Sequence, residues 1–437
     1  MHQIPRRQTT PSKSDSLPMR TEIHLQHDLV AVEHEETVHA LLELTAPQSQ
    51  DGKTRPPATL QVVVDRSGSM ADGRLFAALQ AVDALIGRLR PEDRLGLVTF
   101  DNEVAVPIGA GPVGDGAFAR QALGTVYPGG MTNLSGGFLR GVQEAQRAAN
   151  GDGATLVLLS DGHANEGIVD PGQLETFAAG AQGQRITSST IGIGLGYDED
   201  MLATLARGGG GNASFAEHGD DAGAALASEV EGLMSQTVQA ANLTVRPSEE
   251  VAAVRLFNDL PATGIEGGFM VELGDLYADE TRRLLLEIDV PALAGLGLAQ
   301  VCELELRWVD MQTMKSQLAT FPVSVNVVPG DEAAGRVANT TVTTELAFQR
   351  AQRSKREATD ALRDGDAERA SDLYRAASVD LQAAPVSRED ASEIAEEARL
   401  LEGLAERAQF DAMAVRKQAR ADYHMKSRRR GREPRNP

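Results

Sequence analysis

Asp65, Ser67 and Ser69 alternate with Arg66 and Gly68 directly after the apolar run "LQVVVD". A tight turn calls for Gly and at most one Asp; it does not call for a carboxylate and two hydroxyls in register. Two further segments offer matching chemistry. In "GGMTNLSGG" the glycines permit a tight backbone and Thr132 stands just ahead of a helical pattern, while Asp161 ends a second apolar run, "TLVLLSDG". Three separated segments thus supply two carboxylates and three hydroxyls. All are hard oxygen donors, suited to Mg2+ or Mn2+, with Ca2+ as an alternative, and poor for zinc or copper. Two carboxylates balance the charge of a divalent ion and the hydroxyls add none. With the aspartates acting partly through water, the near-octahedral shell of Mg2+ keeps a position open, and an Asp or Glu of a partner protein is its natural sixth ligand.

Such a site needs elements that carry the three segments to one place. From Leu60 the pattern alternates between solid apolar runs and helical spacing. After "LQVVVD" come a helical stretch "RLFAALQAVDALIGRL", the strand "GLVTF", a helix near 134–149, the strand "TLVLLSD", a helix near 171–181, the strand "RITSSTIGIG", a helix near 199–207, a short strand near 213–216 and a helix near 221–236. Apolar runs of this kind are strands covered on both faces, and strand–helix alternation predicts a parallel sheet between helices. Ligands on such sheets sit beyond the carboxyl ends of the strands, where Asp65 and Asp161 fall.

The order "DRSGSM", "GGMTN", "SDG" closely resembles the metal-ion-dependent adhesion site of von Willebrand factor A domains, whose pattern is D-x-S-x-S, then Thr, then Asp. It matches at Asp65, Ser67, Ser69, Thr132 and Asp161 with no departure, and the resemblance covers residues 58–237. It implies that Ser67, Ser69 and Thr132 contact the ion directly and the aspartates directly or through water. It also implies a protein-binding rather than an enzymatic role, in some bacterial members beside AAA+ ATPases. "GDLYADETRRLLLEIDVP" is similar to the β-sandwich that accompanies the domain in bacterial members labelled chloride-channel-like.

Outside this stretch the patterning changes. Residues 21–46 alternate with period two and predict two or three half-buried strands; strands return after residue 240 and run to about 329. One N-terminal strand segment cannot bury its face alone, so the economical reading is a single β-sandwich interrupted by the α/β domain. The expected organisation is a disordered 1–20, sandwich strands over 21–57, the α/β domain over 58–237, the rest of the sandwich over 238–330, a three-helix region over 338–425 and a basic disordered tail over 426–437. "SRED" at 387–390 reads as a capping-box-like start of a long helix.

Other candidates carry less. His24, His27, His34 and His39 crowd "HLQHDLVAVEHEETVH", but the last two are five apart rather than four and the segment reads as strand, so solvated or sheet-edge histidines are expected. "GGGGNAS" at 208–214 lacks the Lys-Ser/Thr of a phosphate loop and reads as a helix-to-strand turn. His163 and Glu166 lie just past Asp161 and could serve a metal-assisted phosphoester hydrolase, the rival reading. Cys302 and Trp308 read as sandwich core.

Composition bounds the rest. A net charge of −21 excludes broad nucleic-acid binding by the body of the 437-residue chain. A single cysteine excludes an internal disulfide and a cysteine zinc cluster. No apolar run is long enough for a membrane span and the N-terminus lacks a signal-peptide core, which suggests a cytoplasmic protein. Residues 413–437 hold nine Lys/Arg against two acids, +7 against −28 for the remainder. They are expected to be a solvated end; contact with an anionic membrane surface is a third functional reading.

Overall fold

The computed structural model describes residues 19–48, 57–161, 164–194, 197–216, 225–226, 235–249, 251–311, 313 and 315–427. Three strands come first: β1 (Arg20–Leu25), β2 (Leu29–Ala31) and β3 (Glu36–Thr45). The α/β unit follows with β4 (Thr59–Asp65), α1 (Arg74–Ile86), β5 (Arg94–Phe100), β6 (Val104–Pro112), α2 (Ala117–Leu123), α3 (Leu134–Ala149), β7 (Ala154–Ser160), α4 (Pro171–Gly183), β8 (Ile186–Ile193), α5 (Glu199–Gly208) and β9 (Gly210–Ala216). Its sheet has the order β6-β5-β4-β7-β8-β9, parallel except for β6, which hairpins back on β5. The two central strands are wholly buried because α1 packs its Leu75, Ala78, Val82 and Leu85 on one face and α3 its Leu134, Phe138, Val142 and Ala145 on the other. The hairpin β5–β6 and α2 were not anticipated: "VAVPIGAGP" is interrupted by Pro107 and two glycines and half exposed, as an edge strand tolerates.

Seven strands then complete the sandwich: β10 (Gln236–Pro247), β11 (Ala253–Leu256), β12 (Ala262–Ile265), β13 (Gly268–Tyr277), β14 (Thr281–Val290), β15 (Gly297–Asp310) and β16 (Lys315–Val328). One sheet runs β1-β3-β14-β11 and the other β12-β13-β10-β15-β16-β2. Strands from both sides of the α/β unit are therefore neighbours: the Thr45 and Thr281 hydroxyls meet at 3.0 Å across 236 residues of sequence. Leu42, Leu44, Leu284 and Leu286 from one sheet share a core with Leu243, Val271, Leu304 and Val325 from the other. Cys302 lies in that core, where burial pushes its thiol up to about 12, and Trp308 packs against the core half-buried. β3 departs from the half-buried expectation. Its alternate residue Leu41 joins Leu285, Phe257, Val342 and Leu346 in a second cluster, so the strand is covered on both faces.

The C-terminal region is α6 (Gly330–Ala334), α7 (Thr340–Arg363), α8 (Ala367–Ala383), α9 (Ala391–Arg407) and α10 (Ala412–Ser427). Four long helices replace the three expected. The unexpected corner falls at 408–411, where no Gly or Pro marks it; Asp411 caps α10 by accepting from Ala414 N–H at 3.3 Å. At the corner before α9, Ser387 Oγ accepts from Asp390 N–H at 3.1 Å, and Asp390 Oδ1 takes Arg283 at 2.7 Å.

The basic end is corrected over its first four cations. Arg416, Lys417, Arg420 and Lys426 lie on α10 and each faces an acid. Glu199 pairs with Arg416 at 2.5 Å and Lys417 at 2.6 Å, Asp200 with Arg420 at 3.2 Å, and Glu397 with Lys426 at 2.6 Å. These charges are spent inside the molecule; residues 428–437 lie outside the described residues. So does most of the helix expected near 221–236, whose last residue, Gln236, instead opens β10. No described helix is long and apolar enough to cross a membrane.

Candidate metal rim and its relatives

β4 is where the strand order reverses: the chain leaves it for β5 on one side and returns to β7 on the other. A crevice opens at such a switch point beyond the carboxyl ends of the strands. Asp65 is the last residue of β4 and Asp161 follows the last residue of β7, so the sheet itself sets two carboxylates on either side of the crevice. Pairing of Val64 with Leu159 puts Ser160 beside Asp65, and the Ser160 hydroxyl donates to Asp65 Oδ2 at 2.6 Å. The other oxygen, Oδ1, accepts from Ser67 N–H at 2.8 Å, which curls the loop after β4 back on its own strand.

That curl brings Ser67 Oγ to 3.1 Å from Ser69 Oγ, and the Ser69 hydroxyl donates to Asp161 Oδ1 at 2.7 Å. Asp65, Ser67 and Asp161 are buried, whereas Ser69 is exposed at the mouth. A short 3₁₀ turn, Gly68–Ala71, follows and anchors the loop by burying Met70. Thr132 reaches the same rim on a second loop. Gly68 N–H donates to Gly130 O at 3.0 Å, and Gly129 N–H to Arg66 O at 2.7 Å. The two glycines are required by close approach: a Cβ at Gly129 would stand 2.0 Å from Asp101 Oδ2, and one at Gly130 would stand 2.0 Å from Asn102 Oδ1. Asp101 in turn holds Arg66 at 3.1 Å. Thr132 is buried, its N–H donating to Asn165 Oδ1 at 2.8 Å, and the next residue, Asn133, caps α3 by accepting from Gly136 N–H at 2.9 Å.

All five residues therefore converge at one end of the sheet, four through direct hydrogen bonds and Thr132 through its loop. The donor set is oxygen alone, and it fits a hard divalent ion. The electrostatics agree. Asp65 is buried, with neutral hydrogen-bond donors, and burial raises its carboxyl above the usual range against the pull of Ser160 and Ser67; the Asp161 charge adds to the rise. A cation beside it would relieve that strain on the charged form. Three functional neighbours escaped sequence reasoning. Ser160 and Asn165 were signalled only as polar residues flanking Asp161. Arg74, whose Nη1 lies 2.6 Å from Asp161 Oδ2, was signalled only by a cation at the start of a helix.

The other candidates fare differently. His163 lies outside the described residues. Glu166 donates its backbone N–H to Thr132 O at 3.3 Å, and its Oε2 is shielded without a hydrogen-bond partner. Residues 208–214 form the turn from α5 into β9. Among the histidines, His24 groups with Glu22 and Glu43 within 4.8 Å, and Glu43 is also bound by Arg283 at 2.6 Å. His27 follows the end of β1 rather than lying on it. His39 is not solvated: it sits buried on β3 beside Phe257, where burial lowers its affinity for a proton.

Comparison with known proteins agrees with this geometry. Residues 60–226 match the family described as von Willebrand factor type A domain. The chain is 26% identical over 293 residues to uncharacterized protein sll0103 of Synechocystis, with 64% of this chain and 69% of that one covered. It is also 26% identical over 309 residues to uncharacterized protein YfbK of Escherichia coli, with 65% of this chain aligned but only 53% of the relative's length. In structure it resembles a von Willebrand factor type A protein from Catenulispora acidiphila at a TM-score of 0.72 and 17% identity, over 90% of this chain and 91% of that one. That likeness speaks for the fold of sandwich, α/β unit and helices together. Domains of this family are generally interaction modules and often metal-dependent. The chain thus carries, across residues 60–226, a von Willebrand factor type A domain.

Proposed function

We propose that the protein is a metal-dependent binding module in which Asp65, Ser67, Ser69, Thr132 and Asp161 hold Mg2+ or Mn2+ and the ion captures an Asp or Glu of a partner protein. The observation that carries this reading is the convergence, at the switch point of the sheet, of two buried carboxylates and three hydroxyls with Ser69 left open at the mouth. The ion would supply a Lewis-acidic seat for a carboxylate oxygen. The residues of the chain do the rest. Asp65 and Asp161 balance its charge, the hydroxyls position it without cancelling that charge, and the Gly129–Gly130 loop fixes Thr132 against the rim. A site built from further Asp or Glu would repel the incoming carboxylate; hydroxyls at 67, 69 and 132 do not.

The sandwich meets the α/β unit at the amino ends of β7 and β8, where Gln239 reaches Asp152 O at 2.9 Å and Thr187 donates to Asp275 at 2.8 Å, at the opposite end of the sheet from the rim. The test is capture of partners in Mg2+ with and without EDTA, beside Asp65→Ala; an AAA+ ATPase is the partner class to look for first. Capture that survives both chelation and the substitution sinks the metal bridge. No described feature favours the hydrolytic reading, and the ion pairs of α10 engage four of the nine cations that the membrane-surface reading relies on.

A further inference from the structure

We propose that Arg74 is an internal competitor for the rim: its guanidinium occupies Asp161, and a divalent ion that binds must displace it. The inference rests on the metal reading above. The Asp161 side chain is wholly buried and both its oxygens are engaged, Oδ1 by the Ser69 hydroxyl at 2.7 Å and Oδ2 by Arg74 Nη1 at 2.6 Å. The same Nη1 donates to Ser69 O at 2.9 Å, so one guanidinium nitrogen bridges the loop after β4 and the carboxylate after β7. An ion taking Asp161 and Ser69 meets that cation at the very atoms it needs.

Arg74 is placed there against the preference of its own helix. It opens α1, whose first turn contains no acid, and the start of a helix carries positive partial charge that disfavours a cation. What holds the guanidinium is therefore Asp161, not the helix. Gly194, at the end of β8, leaves the space: a Cβ there would stand 3.2 Å from Arg74 Nε. The side chain is 37% exposed, so it has a solvent-facing route out once the carboxylate is taken. Charge arithmetic makes the two cations exclusive. With Asp65 and Asp161 ionised, the guanidinium alone leaves the rim at −1, and a divalent ion alone leaves it neutral. Both together would give +1 in a partly desolvated pocket, where like charges a few ångströms apart repel strongly. Arg74 thereby keeps Asp161 paired while the rim is empty and sets a threshold concentration of metal for loading it.

The test is titration of the full chain with Mn2+ alone, free Mn2+ being read by electron paramagnetic resonance. Arg74→Gln should tighten binding roughly 10- to 100-fold, the scale of breaking one partly buried ion pair, while Arg74→Lys should stay near the wild type. In the wild type, dicarbonyl labelling of Arg74, read by peptide mass, should rise severalfold when Mn2+ is added. Unchanged or weaker binding by Arg74→Gln, or unchanged labelling, overturns the proposal. Asp65→Ala separates the two layers. If it binds Mn2+ as the wild type does, the metal reading fails; if it abolishes binding while Arg74→Gln changes nothing, only the competitor role fails.

Discussion

Replacing Glu199 by alanine should loosen the attachment of the C-terminal helix to the α/β unit, and the structure sets the size of the effect. Glu199 begins α5 and is 6% exposed. Lys417 of α10 meets its Oε2 at 2.6 Å and is itself buried, its ammonium also reaching the Tyr197 carbonyl and lying 4.2 Å from the centre of the Tyr197 ring. Without the carboxylate that ammonium keeps one carbonyl and a π face. Stranding a buried charge costs about 3–5 kcal/mol; Arg416, the second cation on Glu199, is part-exposed and adds little. Taking about 3 kcal/mol, amides in the first half of α10 should exchange with deuterium about a hundredfold faster. The second half should hold, because Tyr423 donates to Asp259 at 3.0 Å and Lys426 pairs with Asp422 at 2.8 Å. Adding Lys417→Met to Glu199→Ala should recover part of the protection by removing the stranded charge. Exchange within twofold of the wild type throughout 412–420 would refute the reasoning.

Three further outcomes follow from the same physics. Gly129→Ala places a methyl 2.0 Å from Asp101 Oδ2 and should cost about 1–3 kcal/mol in a thermal melt, with weaker Mn2+ binding because the Thr132 loop must shift. Lys355→Ala removes a fully buried cation from between Glu397 and Asp422 and should destabilise the helical region by about 3–5 kcal/mol, seen as an earlier unfolding step in calorimetry. The His24 hydrogen bond, opposed by burial and aided by the Arg283 charge, brings the Glu43 carboxyl to about 2. Its stabilisation is thus full above pH 4.5 and lost as pH falls toward 2. The same bond raises His24, whose share is full below pH 6.5 and lost as pH climbs through the raised value. Urea midpoints should accordingly be highest between about pH 4.5 and 6.5, with Glu43→Gln flattening both sides.

What could be read from the chain was what a short segment decides by itself. An apolar strand ending on Asp65, with hydroxyls two and four residues on, has few meanings, and the strand–helix alternation leaves one architecture for it. Splitting of the sandwich by the α/β unit was also legible, since an orphan N-terminal strand must find partners elsewhere. Most of the misses come from pairing decided in three dimensions. A basic stretch reads as a solvated tail until the acids of α5 and α9 come to meet it. β3 reads as half-buried until α7 covers its second face. The hairpin β12–β13 was lost because Gly264, Gly267 and Gly268 break its alternation, although Gly267 at φ +76° is what permits the turn. Arg74 is one arginine in "ADGR", and nothing in that string announces that it reaches a carboxylate 87 residues away.

The meeting of Thr45 with Thr281 also has a consequence in time. β3 leaves the ribosome early, but its central partner β14 is made 236 residues later. At about 5–20 residues per second, that is a wait of roughly 10–50 s. Within it every strand from β4 to β9 is synthesised, so the α/β unit can close on contacts of its own while Leu41, Leu42 and Leu44 have only β1 beside them. Nascent chains of this protein should therefore bring Asp65, Thr132 and Asp161 together before the sandwich closes, and the first strands are the segment for which a chaperone would compete.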